Sequence, residues 1–143
     1  GEILQKRLDS ETLGQISMKF PGSAIELVCR TIKDVLADTH ENGLLAYCIR
    51  EKKETSLSFY LGFLDGLRKM LFPEIFPAWE KFLVDKKWEG IERARQLCWQ
   101  ANSERAECIR WIVDSSKNQA ETNAEKLFNE KVLSPLGLDA RQQ

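Results

Sequence analysis

The sequence predicts an all-α fold: a single-domain helical bundle of five to seven helices over residues 1–143, built around a central apolar helix near 57–72. Three observations predict it. Apolar residues recur at steps of three and four along most of the chain, the spacing of one helix face. Prolines and glycines are few, 4 and 8, and most fall where those periodic stretches stop. No stretch alternates apolar and polar residues as a half-buried strand requires.

The organising stretch is LSFYLGFLDGLRKMLFPEIFPAWEKFL, from Leu57 to Leu83, and its first part, near 57–72, is the central helix. Read as a helix, it lines one face with Leu57, Tyr60, Leu61, Leu64, Leu67 and Leu71. Phe59, Phe63 and Met70 widen that face beyond the stripe of a surface helix, so contact on two sides is expected. Gly62 and Gly66 leave a bare strip where a neighbouring helix can approach.

The other elements are expected around it. An N-terminal helical region over 2–20 holds Ile3, Leu4 and Leu8, a cap at Asp9-Ser10, then Leu13, Ile16 and Phe20. Pro21-Gly22 ends it. Ser23 and Glu26 form a capping-box pattern, in which each supplies an acceptor to the other's amide. The helix they open, 24–42, carries Ile25, Val28, Cys29, Ile32, Val35 and Leu36, and Asn42-Gly43 closes it in the left-handed position favoured by glycine. Residues 44–72 are expected as one bent helix or two, with Thr55 or Ser56 as the cap of a second. Pro73 and Pro77 interrupt the chain, and Pro77 suits the first turn of a helix over 77–84. A long helix over 86–114 follows, with Ile91, Ala94, Cys98, Ala101, Cys108 and Ile112 at heptad-like steps. Asn102-Ser103 is its expected weak point. A last amphipathic helix over 117–133 carries Ala120, Ala124, Leu127, Phe128 and Val132, and Ser134-Pro135 stops it.

Composition narrows the function classes. Charged residues make up 30% of the chain and the formal net charge is -1, so no global field draws it to nucleic acid or an anionic membrane. No apolar run reaches the roughly 20 residues that span a bilayer, and the charged N-terminal residues do not read as a signal peptide. Cys29, Cys48, Cys98 and Cys108 show neither CxxC pairing nor metal-ligand spacing, and His40 is the one histidine. Buried free thiols are expected, hence a soluble protein of the reducing, cytoplasmic compartment. No cofactor is expected.

Candidate site residues concentrate on 86–114. Trp88, Arg95, Trp99 and Arg110 fall close to one line, near Lys86, Lys87 and Arg93. Tryptophan and arginine are over-represented at protein-interface hot spots, cations alternating with aromatic faces also suit single-stranded nucleic acid, and the same pattern equally suits tryptophans half-buried against a neighbouring helix with arginines over their rims. Arg105 falls where the heptad stripe calls for an apolar residue. It is expected either to reach outward at a bundle end, to pair with an acid such as Asp65, or to serve an anion or partner. Asp34, Asp38 and Glu41 lie opposite the stripe of 24–42, where solvated charges are expected. His40 is expected as a structural cap, since no Ser, Cys and His constellation supports nucleophilic catalysis.

Glu89-x-x-Glu92 followed by Glu104-x-x-Glu107 resembles the paired acidic motifs of all-α nucleoside triphosphate pyrophosphohydrolases. The resemblance covers residues 89–107 and implies carboxylates holding magnesium against a diphosphate. It departs from the family at Glu107, where aspartate is usual, and it requires a helix break near Asn102-Ser103. The function expected is a non-catalytic protein–protein interaction module (an adaptor, assembly subunit or inhibitor) with Trp88, Arg95, Trp99, Arg110 and Arg105 at the interface. Its partner is another protein or a second copy. A nucleic-acid-binding subunit is the alternative, and the magnesium-dependent pyrophosphohydrolase a more distant one.

Overall fold

The structure, a computed structural model, describes residues 8–117 and 121–138. It is all-α, with no strand among the described residues. The helices are α1 (Ser10–Lys19), α2 (Ala24–Thr39), α3 (Leu44–Arg50), α4 (Glu54–Gly62), α5 (Gly66–Met70), α6 (Ile75–Asp85), α7 (Glu89–Ser115) and α8 (Glu121–Phe128). A π-helical turn over Asn129–Leu133 and a 3-10 turn over Ser134–Leu136 continue α8. Setting aside the one-turn α5, the described residues hold seven helices, within the expected range. Ile3, Leu4 and Ala120, which entered the expected end helices, lie outside the described residues.

Two compact units are formed, and α2 and α7 each run from one into the other. In the unit made of the described residues of Gly1–Lys33 and Ser103–Gln143, Asp9 caps α1 by accepting from Thr12 N at 2.7 Å. That backbone bond is the main reason its carboxyl titrates below the usual range. Ser23 accepts from Glu26 N at 3.2 Å, as expected of a capping box. The return bond differs, because Glu26 accepts from Gly22 N rather than from Ser23 N. The core of this unit holds Ile16, Ile25, Val28, Ile32, Ile109, Ile112 and Phe128, and Phe20 meets Phe128 edge-on at 5.7 Å. Ser134-Pro135 does not stop the last helix. Proline sits at the start of the 3-10 turn, where it lacks no needed donor, and Gly137 ends the run at φ 75°.

The second unit, Asp34–Asn102, gathers the end of α2, α3 to α6 and the start of α7 around Leu36, Leu45, Leu57, Leu71, Phe72, Ile75, Phe82, Ile91 and Cys98. The single apolar helix expected near 57–72 is two helices, α4 and α5. The chain leaves helix at Phe63 and re-enters at Gly66, whose φ is 55°. The break turns Phe59, Phe63 and Met70 outward instead of burying a second face. Gly62 and Gly66 are exposed with nothing near a would-be Cβ, so they are terminators and not a helix-packing strip. Neither Thr55 nor Ser56 caps α4, which starts at Glu54 after Lys53.

Gly43 also differs from expectation. Its φ is -90°, not left-handed, and it opens α3. Glycine is required there because a Cβ would meet Ala37 O at 2.3 Å, Asp38 O at 3.0 Å and His40 O at 3.2 Å. The left-handed residues that end α3 and α6 are lysines, Lys52 and Lys86, each at φ 55°.

Helix α7 is continuous over 27 residues, with no split at Asn102-Ser103. Both residues are buried, and Asn102 donates its two Nδ2 hydrogens to Leu71 O at 3.0 Å and Cys98 O at 2.9 Å. The buried stripe runs Ile91, Ala94, Cys98, Asn102, Ala106, Ile109 and Val113, while Ala101, Arg105 and Cys108 are half-buried beside it. A 3.5-residue repeat drifts about 20° per heptad on a straight helix, so two successive four-residue steps, Cys98 to Asn102 to Ala106, keep the stripe inward. Arg105 therefore flanks the core and does not occupy it.

Candidate functional site

Beside the end of α2, helices α3, α4 and α5 surround an open groove of about 410 Å³. Asp38, Leu44, Ser56, Phe59, Tyr60, Phe63, Leu64 and Arg68 line it. Tyr60 donates to Asp38 Oδ2 at 3.1 Å, and Arg68 donates to the same oxygen. Burial first, then the Asp38 carboxylate, push the Tyr60 phenol's pKa up, so the hydroxyl stays a donor. Burial opposes the charge on Arg68, but its hydrogen bond to Asp38 and that carboxylate's charge outweigh burial and hold the guanidinium charged. Asp38 is thus the acceptor of a three-residue cluster at the groove, not a merely solvated acid.

Beside that polar cluster the groove's lining is apolar and open. Phe59 is 64% exposed and Phe63 76%, four residues apart where α4 ends, with Leu44 at 48% on α3 and Tyr47 one turn further. A phenyl ring left in water forgoes the roughly 1.5–3 kcal/mol that burial returns. Two adjacent ones beside a groove mark a surface that another molecule can cover.

The sequence-predicted residues lie elsewhere. Trp88, Arg95 and Trp99 belong to the Asp34–Asn102 unit, Arg105 and Arg110 to the other. All five are half-buried, because their line follows the margin of the buried stripe of α7 and not its open side. Trp88 meets Phe82 edge-on at 4.7 Å, with the Lys52 ammonium 5.5 Å from its ring centre. Trp99 lies 6.5 Å from His40. The charge of Arg110 contributes to the low pKa of Asp9.

Arg95 is a strut. Its Nε and Nη2 donate to Glu92 at 2.7 Å each, its Nη1 donates to Thr39 O at 2.8 Å, and its side chain is only 11% exposed. Thr39 ends α2, so Arg95 supplies a donor to one of the carbonyls a helix end leaves open. Arg95→Met is expected to cost about 1–2 kcal/mol in denaturant unfolding at neutral pH. The Arg95 hydrogen bond is the chief cause of the lowered Glu92 pKa. Stability from a depressed carboxyl is present above its unfolded value and lost as pH falls through the folded one. The gap between wild type and variant should therefore narrow as pH drops below the ordinary glutamate value of 4.5.

Of the four glutamates, Glu92 is held by Arg95 and Gln96, and Glu89, Glu104 and Glu107 are exposed. They share one unbroken helix, without the break that the pyrophosphohydrolase resemblance requires. Among the described residues no group of three His, Cys, Asp or Glu side chains is placed to hold a metal ion. His40 is buried and its Nδ1 accepts from Asn42 N at 3.0 Å, which fixes the α2–α3 turn. Cys29, Cys48 and Cys98 are buried and Cys108 is half-buried. Burial pushes the Cys29 thiol up to about 12. No helix of the described residues is long and apolar enough to cross a membrane.

Sequence reasoning missed the Asp38–Tyr60–Arg68 cluster. Its members lie 22 and 30 residues from Asp38, and no local spacing announces it.

One family model, described as the C-terminal domain of a family of unknown function (DUF6866), matches residues 1–131. No curated protein and no solved structure matches the chain.

Proposed function

The chain belongs to the DUF6866 family of unknown function, through its C-terminal domain, and we propose that it is a non-catalytic protein–protein interaction module. The observation that carries this reading is the exposed pair Phe59 and Phe63 beside the Asp38–Tyr60–Arg68 groove. Interface cores are apolar and aromatic, with a few fixed polar groups that set register. Here the rings supply the first, and a carboxylate already bound to a phenol and a guanidinium supplies the second. The docking face is thus α3–α5, not the α7 line, whose Arg95 is committed to Glu92 and Thr39.

The test compares wild-type protein with Phe59→Asp and Phe63→Asp as bait. Both side chains are mainly in solvent, so each variant should keep wild-type far-UV dichroism and unfold within about 0.5 kcal/mol of it. Truncating a hot-spot aromatic costs about 2 kcal/mol or more, and a charge at the centre of the interface costs further. Capture of the specific partner should fall at least tenfold. Val84→Asp, at an 87% exposed position on α6, should capture normally. Equal capture by all four proteins would contradict the reading.

A further inference from the structure

We propose that Asn42 is a site of spontaneous deamidation, and that the closed α2–α3 turn holds the reaction back until the turn opens. Asparagine is among the thermolabile residues. A following glycine brings no Cβ to hinder its own backbone nitrogen, the attacking group, and here that glycine is Gly43. Asn42 is exposed, so water reaches its carboxamide.

The reaction needs only water. The Gly43 amide nitrogen loses its proton and attacks Asn42 Cγ. A C–N bond forms, the Cγ–Nδ2 bond breaks, and Nδ2 leaves as ammonia with the released proton. Water then adds to either carbonyl of the cyclic imide. Opening on one side gives aspartate at position 42. Opening on the other gives isoaspartate, whose main chain runs through Cβ and Cγ and is longer by one carbon.

The turn opposes that attack. Gly43 N donates to His40 O at 2.8 Å, and Asn42 N donates to His40 Nδ1 at 3.0 Å. A nitrogen held as a donor keeps its proton and does not swing onto Cγ. Tyr47 N donates to Gly43 O at 3.1 Å and fixes the residue from its other side. The seating that would place a Cβ 2.3 Å from Ala37 O leaves Gly43 little room to rotate where it stands. Attack therefore waits for the α2 terminus to part from α3. Arg95, bonded to Thr39 O at 2.8 Å, ties that terminus down.

Neither product suits the closed turn. Each adds a carboxylate directly after Glu41, at the end of α2, where the helix dipole disfavours negative charge. Isoaspartate also lengthens a turn whose glycine has no slack. The modification thus marks chains whose turn has opened, and it loosens the segment that carries Asp38 to the groove.

The test incubates the purified chain at neutral pH, native and in denaturant, and maps aspartate and isoaspartate by peptide. Position 42 should convert in denaturant and roughly tenfold or more slowly in the native protein, because opening must come first. Arg95→Met, checked for wild-type far-UV dichroism, should raise the native rate roughly 5–30-fold and leave the rate in denaturant unchanged. Asn102, buried in α7 with its amide bonded to Leu71 O and Cys98 O, is the control that stays intact in the native protein. The modified fraction, separated by its added negative charge, should unfold at a lower temperature than the unmodified one. No product at position 42 in denaturant overturns the site. Equal native and denatured rates, or a native Arg95→Met rate equal to wild type, overturn the gate. An unchanged midpoint in the modified fraction overturns its effect on the turn.

Discussion

Gly43→Ala is expected to destabilise the protein by about 3 kcal/mol, the upper part of the range for overpacking. The reason is steric and does not depend on backbone freedom, since Gly43 sits at φ -90°. An added methyl would stand 2.3 Å from the carbonyl oxygen of Ala37 and 3.0 Å from that of Asp38. Both oxygens belong to the last turns of α2, so no flexible side chain can move aside. The clash must displace either α3 or the α2 terminus, which also holds Thr39 O for Arg95 and Asp38 for the groove. In thermal unfolding the midpoint should drop by roughly 10 °C. A drop of under 2 °C would show that the α2–α3 turn relaxes freely. As a comparison, Gly62→Ala, with nothing within 4 Å of the new Cβ, should be neutral or slightly stabilising.

Asn102→Leu is the second large expected effect, about 2–3 kcal/mol. Asn102 is fully buried in α7, and its Nδ2 supplies the short hydrogen bond to Leu71 O, the carbonyl where α5 ends. The Cys98 thiol also points at that oxygen, at 3.5 Å, and is a poor substitute. Leucine matches asparagine in bulk but donates nothing, so the carbonyl loses its good donor while remaining buried, and that desolvation cost appears in full. Asn102→Asp replaces the amide donor with an acceptor and should cost at least as much. Asn102→Leu with wild-type denaturant midpoint and slope would mean that the α5–α6 corner does not depend on this bond.

These two residues show what the sequence made legible and what it did not. Helix α2 was readable from Pro21-Gly22 and the Ser23–Glu26 pattern, since capping is local chemistry. The burial of Cys29, Cys48 and Cys98 and the apolar stripe of α2 were readable from spacing alone, whereas Cys108 was expected buried and is half-buried. Gly43 was recognisable as punctuation, but its reason, carbonyls six and five residues earlier, is a tertiary contact with no local signature. Asn102 suggested a break on propensity grounds. A buried partner 31 residues away turned it into a support. The break after α6 was expected between 77–84 and 86–114, and the one after α3 was left open between one bent helix and two; at both, a lysine and not a glycine adopts the left-handed conformation. The same limit hid the proposed docking face. Phe59 and Phe63 read as core because composition cannot say which side of a helix the fold leaves open. The α7 line of Trp88, Arg95, Trp99 and Arg110 lay close to the buried arc, so its aromatic and cationic groups found partners inside the protein.

The α3–α5 face is tested most directly by hydroxyl-radical footprinting of the protein alone and in complex with its captured partner, side by side. Phe59, Phe63, Met18 and Val84 are all well exposed in the isolated chain, at 64%, 76%, 84% and 87%. In the complex the oxidation of Phe59 and Phe63 should fall severalfold, with Met18 and Val84 unchanged. Protection of Met18 or Val84 with Phe59 and Phe63 still oxidised at the rate of the protein alone would place the interface elsewhere and contradict this account.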